Sequence, residues 1–348
     1  MSDNDQIVKL IRKSDRTPWG PECGSILAEA ISLADASGEE QLAYSARMRL
    51  VVNSSFLNDT ELLLATFAIC EQQHKKDPLR FPANPKDMGA AGAGFEYTDL
   101  YWMWKWIPNR LRESPSFSKQ DVLKSIDDLE QVYKDAGLPA KAVLQRRLHW
   151  AMDSGNKDEV QSLVDQLKEL PDDEHSDCPA CSRSSLIEAE LLLDNPENAI
   201  NLLDEIVAGN YECANEPAVA YAHCLSQLAA RNDIERINRG ISEILAARNI
   251  ASRETEALAW LAIFFTHSGN SGRAFTIIRG RLTNIVDTPL DVMAHKMLFS
   301  AAAVTMRARV AEGYGDSLVP EADDARLAHY LGTVPGGHTA ATLATAAE

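Results

Sequence analysis

The residues best suited to metal or thiol chemistry are six cysteines and eight histidines. They are unevenly spread. His175, Cys178 and Cys181 fall together in His175-Ser-Asp-Cys178-Pro-Ala-Cys181, and Cys213, His223 and Cys224 follow downstream. A Cys-x2-Cys turn lets two thiolates bind one metal ion, and zinc is the usual occupant of closed Cys/His sites. Cys213 is the expected third ligand and His175 the fourth, with Asp177 and His223 as alternatives. The implied cofactor is one structural zinc ion. Two other states stay open, since a second Cys-x2-Cys is missing: unligated thiols, and a redox or disulfide pair. Cys224 is expected in the core. A catalytic zinc needs a general base and an open position. The sequence names neither, so no catalytic residue is assigned and the chain is read as a non-enzyme.

Cysteines from two distant stretches must be brought together by regular elements. Four turn anchors, Gly155, Asp194, Asn232 and Gly269, each follow an apolar helical run and lie 39, 38 and 37 residues apart. Five residues after each comes an apolar residue opening a second helix: Val160, Ala199, Ile237 and Ala274. A near-constant period with a helix–turn–helix unit predicts stacked hairpins, an α-solenoid. In that register residues 171–182 and 210–216 are the same connection in consecutive units. Such connections stack along one edge, which brings Cys213 towards Cys178 and Cys181. Zinc there would staple two adjacent units.

The last unit reads Leu258-x2-Leu261-Ala262-x2-Phe265-x3-Gly269, then Ala274, Ile277 and Ile278. It resembles the tetratricopeptide repeat (TPR), whose first helix reads large-x2-Leu-small-x2-aromatic and ends at such a turn. The unit before it keeps Tyr221, Leu225, Leu228, Ile237 and Ile241. The Gly155 unit keeps Leu144, Leu148 and Ala151 but has Arg147 where the motif has Leu, and Pro171 falls near the closing proline. The Asp194 unit departs most, with Glu190 at the aromatic position. The period also exceeds the ~34-residue consensus. The resemblance implies an all-α fold: a right-handed superhelix of degenerate TPR-like hairpins with C-terminal capping helices. It implies a partner-binding groove and no catalytic residues. The Trp-x-Trp-x-Trp run upstream of Asp-Cys-x2-Cys, with Cys213-Ala-Asn-Glu216-Pro217 one unit later, is similar to a group of actinobacterial TPR proteins and brings no activity with it. Cys-Pro-x-Cys also resembles thioredoxin and glutaredoxin sites, where a helix N-terminus lowers a thiol pKa. Those folds need βαβ elements, and no stretch here reads as strand.

The rest of the chain fits this frame. Hydrophobic residues make up 45% and charged residues 24% of the 348, as in folded proteins. The net charge of −17 argues against a nucleic-acid interface. The acidic start shows no secretory signal, no apolar run approaches membrane-spanning length, and the cysteine spacing is not a secreted disulfide framework. The expected location is the cytoplasm. Residues 1–76 read as N-terminal helical hairpins, 77–97 as a Gly/Pro-rich inserted loop, 98–282 as the repeat array, 283–332 as capping helices and 333–348 as a flexible tail. The loop is a tolerated surface insertion, or a flap over the groove with Phe81, Met88 and Phe95 as its contacts.

Tyr101-Trp102-Met103-Trp104-Lys105-Trp106 has the most unusual composition, and Pro108 is expected to end its helix. Trp102 and Trp106 share a helical face and Trp104 lies opposite. Core packing is the default for such a helix. Groove-facing aromatics beside Lys105, Arg110 and Arg112 would instead be a peptide hot spot. The candidate partner-binding residues are Tyr101, Trp102, Lys105, Trp106, Arg110 and Arg147. The leading expectation is an adaptor binding a partner's peptide or helix in the groove, with oligomeric state unassigned. The runner-up is a ligand- or peptide-sensing regulator, and a thiol- or zinc-dependent enzyme comes third. No Gly-x4-Gly-Lys-Ser/Thr, Gly-x-Gly-x2-Gly or His-Glu-x2-His motif is present.

Overall fold

All four turn anchors adopt left-handed backbone: Gly155 at φ 70°, Asp194 at 62°, Asn232 at 55° and Gly269 at 75°. Each closes its helix in the same way. The amide of the residue after the anchor donates to the carbonyl five residues back, Asn156 to Ala151, Asn195 to Glu190, Asp233 to Leu228 and Asn270 to Phe265, at 2.8–3.2 Å. This is the Schellman closure, which favours Gly and tolerates Asn or Asp. Val160, Ala199, Ile237 and Ala274, five residues on, are all buried.

The computed structural model describes residues 3–97, 99–209, 211, 213–247, 251–288 and 291–346, with residues 251–254 as backbone only. The described residues are mainly α-helical and form no strand. A lone bridge pairs Leu318 with Thr339. The chain divides into two compact units, 1–146 and 147–348.

In the first unit, α1 (Asp3–Ser14), α2 (Pro21–Ser37), α3 (Glu40–Leu57) and α4 (Thr60–Lys76) pack in sequence, each on the next. Asp3–Asp5 form the first turn of α1. Asp59 caps α4 by accepting from the Leu62 amide at 3.1 Å. The Gly/Pro-rich stretch has buried contacts within the first unit. It includes a 3₁₀ segment, Pro85–Gly92, lying on α3. Phe81 and Phe95 are buried, and Met88 is only half-buried. A Cβ on Gly92 would fall 1.6 Å from the Pro85 carbonyl oxygen, so only glycine allows that approach. Arg49 of α3, fully buried, ties the segment down. Its guanidinium donates to Asp15 at 2.8 Å, to Ser45 Oγ at 2.7 Å and to the Ala93 carbonyl, and lies over the Phe95 ring.

Next come α5 (Leu100–Trp104), α6 (Trp106–Glu113), α7 (Lys119–Asp135) and α8 (Lys141–Ser154). Pro108 does not end the aromatic helix. It lacks the N–H that would bond the Trp104 carbonyl and its ring clashes there. The helix breaks at Lys105 and resumes as α6 through Pro108. Ser118 and Asp121 form a capping box on α7.

The second unit begins within α8. It continues through α9 (Lys157–Lys168), α10 (Pro179–Leu192), α11 (Pro196–Ala208), α12 (Ala218–Ala230), α13 (Ile234–Ala246), α14 (Ala251–His267) and α15 (Ser271–Arg279). Successive helices pair as hairpins, α10 with α11, α12 with α13 and α14 with α15. A core built on Ala199, Leu203, Tyr221, Cys224, Leu225, Leu228, Leu261 and Phe265 runs through them. Glu190, at the position expected to be aromatic, is buried too. It accepts from Lys168 Nζ at 2.6 Å, Asn195 at 3.1 Å and Asn198 at 3.2 Å, so a polar clasp replaces the ring. Burial opposes its charge, but these donors win and hold its carboxyl below the usual range.

After α16 (Asn284–Asp287), α17 (Val292–Ala311) packs on α14 and α15, capped by Asp291. The apolar spacing of the sequence predicts a helix from Pro289 to Ala311, and Pro289 and Leu290 lie outside the described residues. Asp324 accepts from the Arg326 amide and starts a 3₁₀ turn leading into α18 (Ala328–Leu331). The Ala/Thr-rich end is not a loose tail through residue 346. It forms α19 (Ala340–Ala346), with Ala340, Leu343 and Ala344 buried and the helix packed on α17. Both ring nitrogens of His338 face acceptors, Asp323 at 2.6 Å and the Leu331 carbonyl at 3.3 Å, and anchor that end. No described helix is long and apolar enough to cross a membrane.

Candidate functional site

Pro179 opens α10, which makes Cys178 its N-cap and puts Cys181 in its first turn. The Cys178 sulfur accepts from the Cys181 amide at 3.3 Å. A helix N-terminus favours negative charge, so this placement suits thiolates. Cys213 comes from the equivalent connection one hairpin later, between α11 and α12, as the repeat register predicts. The sulfurs of Cys178, Cys181 and Cys213 all lie within 4.8 Å of one another, with Cys181 and Cys213 3.5 Å apart. All three thiols are free and half-buried. Cys224 is buried in the core, as expected.

The donor set fits a thiophilic ion. Zinc–sulfur bonds of ~2.3 Å in a tetrahedron separate sulfurs by about 3.8 Å, and little movement is needed to reach that. The cluster is also prepared for negative charge. Cys213 is pulled well below the ordinary thiol range by hydrogen bonds from the Cys178 and Cys181 thiols and from the backbone amides of Asn215 and Glu216. Cys181 is pushed up by its contacts with the other two sulfurs and by burial. A divalent cation bound by the three sulfurs would displace their protons. Among the described residues no His, Asp or Glu joins this group, so three cysteines come together and a fourth ligand does not. His175 stands half-buried in the same connection, where its amide and that of Ser176 bond the Asp173 carboxylate. Glu216, three residues after Cys213, accepts from the Ala220 amide at 2.9 Å, and burial pushes its carboxyl up to about 7.

His223 takes a different position. Its Nε2 lies 3.7 Å from Glu188 and 3.7 Å from Glu256, and its ring packs on Trp260 with centroids 5.5 Å apart. Burial disfavours the charged ring, but these two carboxylates outweigh it and raise its pKa. His223 and Trp260 line a groove of about 440 Å³ together with residues of α8, α10, α12 and α14, the first helices of successive hairpins. Sequence reasoning missed this site, although the register contains its signal. Ser185, His223 and Trp260 all stand nine residues before their turn anchors, and His149, Glu188 and Ser226 stand six before. Position six of one hairpin meets position nine of the next: His149 bonds Ser185 at 3.0 Å, and Glu188 pairs with His223.

The residues expected to bind a partner are spread over both units. Tyr101, Trp102, Lys105, Trp106 and Arg110 belong to the first, where most have structural contacts. Lys105 is 1% exposed, with Nζ over the Trp102 ring. Tyr101 accepts at its carbonyl from Tyr133 and meets His74 through its hydroxyl. Arg110 donates to Asn58 and to the Ser55 carbonyl at the end of α3, and pairs with Glu113. Trp104 is the core tryptophan, edge-on to Phe67, while Trp102 and Trp106 are half-buried. Arg147 opens the second unit, half-buried on α8. Comparison with known protein families, with characterised proteins and with solved structures finds no match.

Proposed function

We propose that this chain is a non-catalytic interaction module, a TPR-like α-solenoid whose groove takes a peptide or helix from a partner protein. One observation carries the reading. Four successive first helices, α8, α10, α12 and α14, together line one open groove that is partly apolar and partly charged. Apolar surface with a few placed polar groups is the usual make-up of a binding site. The TPR assignment and the superhelix belong to the same proposal, supported by the repeated left-handed turn and hairpin pairing.

We assign Cys178, Cys181 and Cys213 to one structural zinc ion that joins two consecutive hairpins and holds α10 against α12. The ion would supply cohesion and no reaction step. The groove is tested by affinity capture with the full chain beside a Ser226→Arg variant. Ser226 is exposed in the groove, so a long side chain there blocks it without entering the core. A protein retained by wild type and lost from a variant of unchanged Tm supports the module. Retention by neither, at any salt concentration, overturns it.

A further inference from the structure

The six cysteines fall into two sets. Cys23, Cys70 and Cys224 are fully buried, and burial pushes the Cys70 and Cys224 thiols up to about 12. Such thiols stay protonated and inert. Cys178, Cys181 and Cys213 are free, half-buried and gathered at one junction between hairpins. The backbone amides of Asn215 and Glu216 donate to the Cys213 sulfur, which favours its thiolate, the form that attacks. The Cys181 sulfur lies 3.5 Å away. Closing a disulfide of ~2.05 Å from there takes a shift of about 1.5 Å. Cys178 is engaged otherwise: its sulfur caps α10 by accepting from the Cys181 amide at 3.3 Å. A stabilised thiolate with a second thiol in contact is the arrangement of reversible oxidation sites.

We infer that Cys213 and Cys181 form a hydroperoxide-sensitive thiol pair, which turns a metal joint between consecutive hairpins into a covalent one. The Cys213 thiolate attacks one oxygen of hydrogen peroxide. A sulfur–oxygen bond forms, the oxygen–oxygen bond breaks and hydroxide leaves. That hydroxide takes the Cys181 proton, or a solvent proton where metal already holds both sulfurs. The Cys181 thiolate then attacks the Cys213 sulfur. The disulfide forms, the sulfur–oxygen bond breaks, and the second hydroxide takes a proton from solvent. The two sulfurs lose two electrons, and one peroxide becomes two waters. An ion held by the three sulfurs loses two of them and leaves, while Cys178 keeps its place at the start of α10. The inference deepens the zinc assignment of this same site and rests on it only for the metal that is lost.

The test treats the full-length protein with a small molar excess of hydrogen peroxide, blocks the remaining thiols and maps tryptic peptides without reduction. Thiols counted in denaturant should fall by two, from six to four, and return to six with dithiothreitol. Trypsin cuts after Lys168, Arg183 and Arg231, so residues 169–183 should be joined to 184–231 within one chain. Fragmentation should place the bond at Cys181 and Cys213, and Cys178→Ser should still form it. A zinc indicator in the same reaction reports any ion released. Six thiols left after treatment, a bond closed inside 169–183, or loss of Cys23, Cys70 or Cys224 instead overturns the inference, whether or not zinc is found. The Cys181–Cys213 bond in a protein that never held zinc supports the inference and overturns the zinc assignment alone.

Discussion

At the scale of single residues, the three cysteines and His223 lead to separate experiments. Cys178→Ser and Cys213→Ser should each remove zinc measured by elemental analysis. Each should lower Tm by about 5–10 °C, or roughly 2–3 kcal/mol for a unit of this size. His175→Ala should keep the metal, because its ring lies outside the sulfur cluster. Zinc in neither the wild type nor the variants would leave the cluster as thiols. For His223 the sign is set by its neighbours. Its folded pKa lies above the unfolded 6.5, so its contribution is full below 6.5 and fades as pH rises through the folded value. The Tm gap between wild type and His223→Gln should therefore be widest below the unfolded value of about 6.5 and narrow as pH rises above it. A gap independent of pH would show that the imidazolium does not hold the two carboxylates. The cysteine triplet was legible because Cys-x2-Cys is local and the register supplies the third member. The fourth ligand was not, because a loop side chain's direction depends on contacts such as the Asp173 turn, which spacing does not encode.

At the scale of elements, the repeated left-handed turn is the most readable feature of the chain. Gly, Asn and Asp mark it because few other residues tolerate positive φ. Asn232→Ala should cost about 1 kcal/mol in urea denaturation, whereas Asn232→Gly should be close to neutral. Equal losses would mean the turn is not held left-handed. The loop at 77–97 was less legible. Its composition announces irregular backbone, but the partner that orders it, Arg49, is 28 residues away from its start, and nothing in the spacing ties the two together. Arg49→Ala should leave the Asp15 carboxylate without its principal cation and free the segment from α3. Limited trypsin digestion should then cut at Arg80 and Lys86 well before the helices. Unchanged cleavage there would show that the buried Phe81 and Phe95 suffice to hold it. Pro108 shows a related limit. Proline was readable as a break, but whether a helix ends there or resets one turn earlier depends on the packing of the residues downstream.

At the scale of the whole molecule, hairpin pairing was readable from period and burial pattern, and the division at residue 146 was not, because no composition shift marks it. The acidic balance also has a consequence for binding. With a net charge of −17, capture of a basic peptide should weaken as salt is raised from about 50 to 300 mM, since screening acts on exposed charges. An apolar control peptide should be insensitive, and equal sensitivity would assign the effect to the chain at large. The pairing of position six with position nine reaches furthest. His149 with Ser185 and Glu188 with His223 are rungs between consecutive hairpins, and each rung is made without the core residues around it. Such a chain can be altered one rung at a time: exchanging the two members of a rung together changes one junction between hairpins, while the scaffold that holds the others stays as it is.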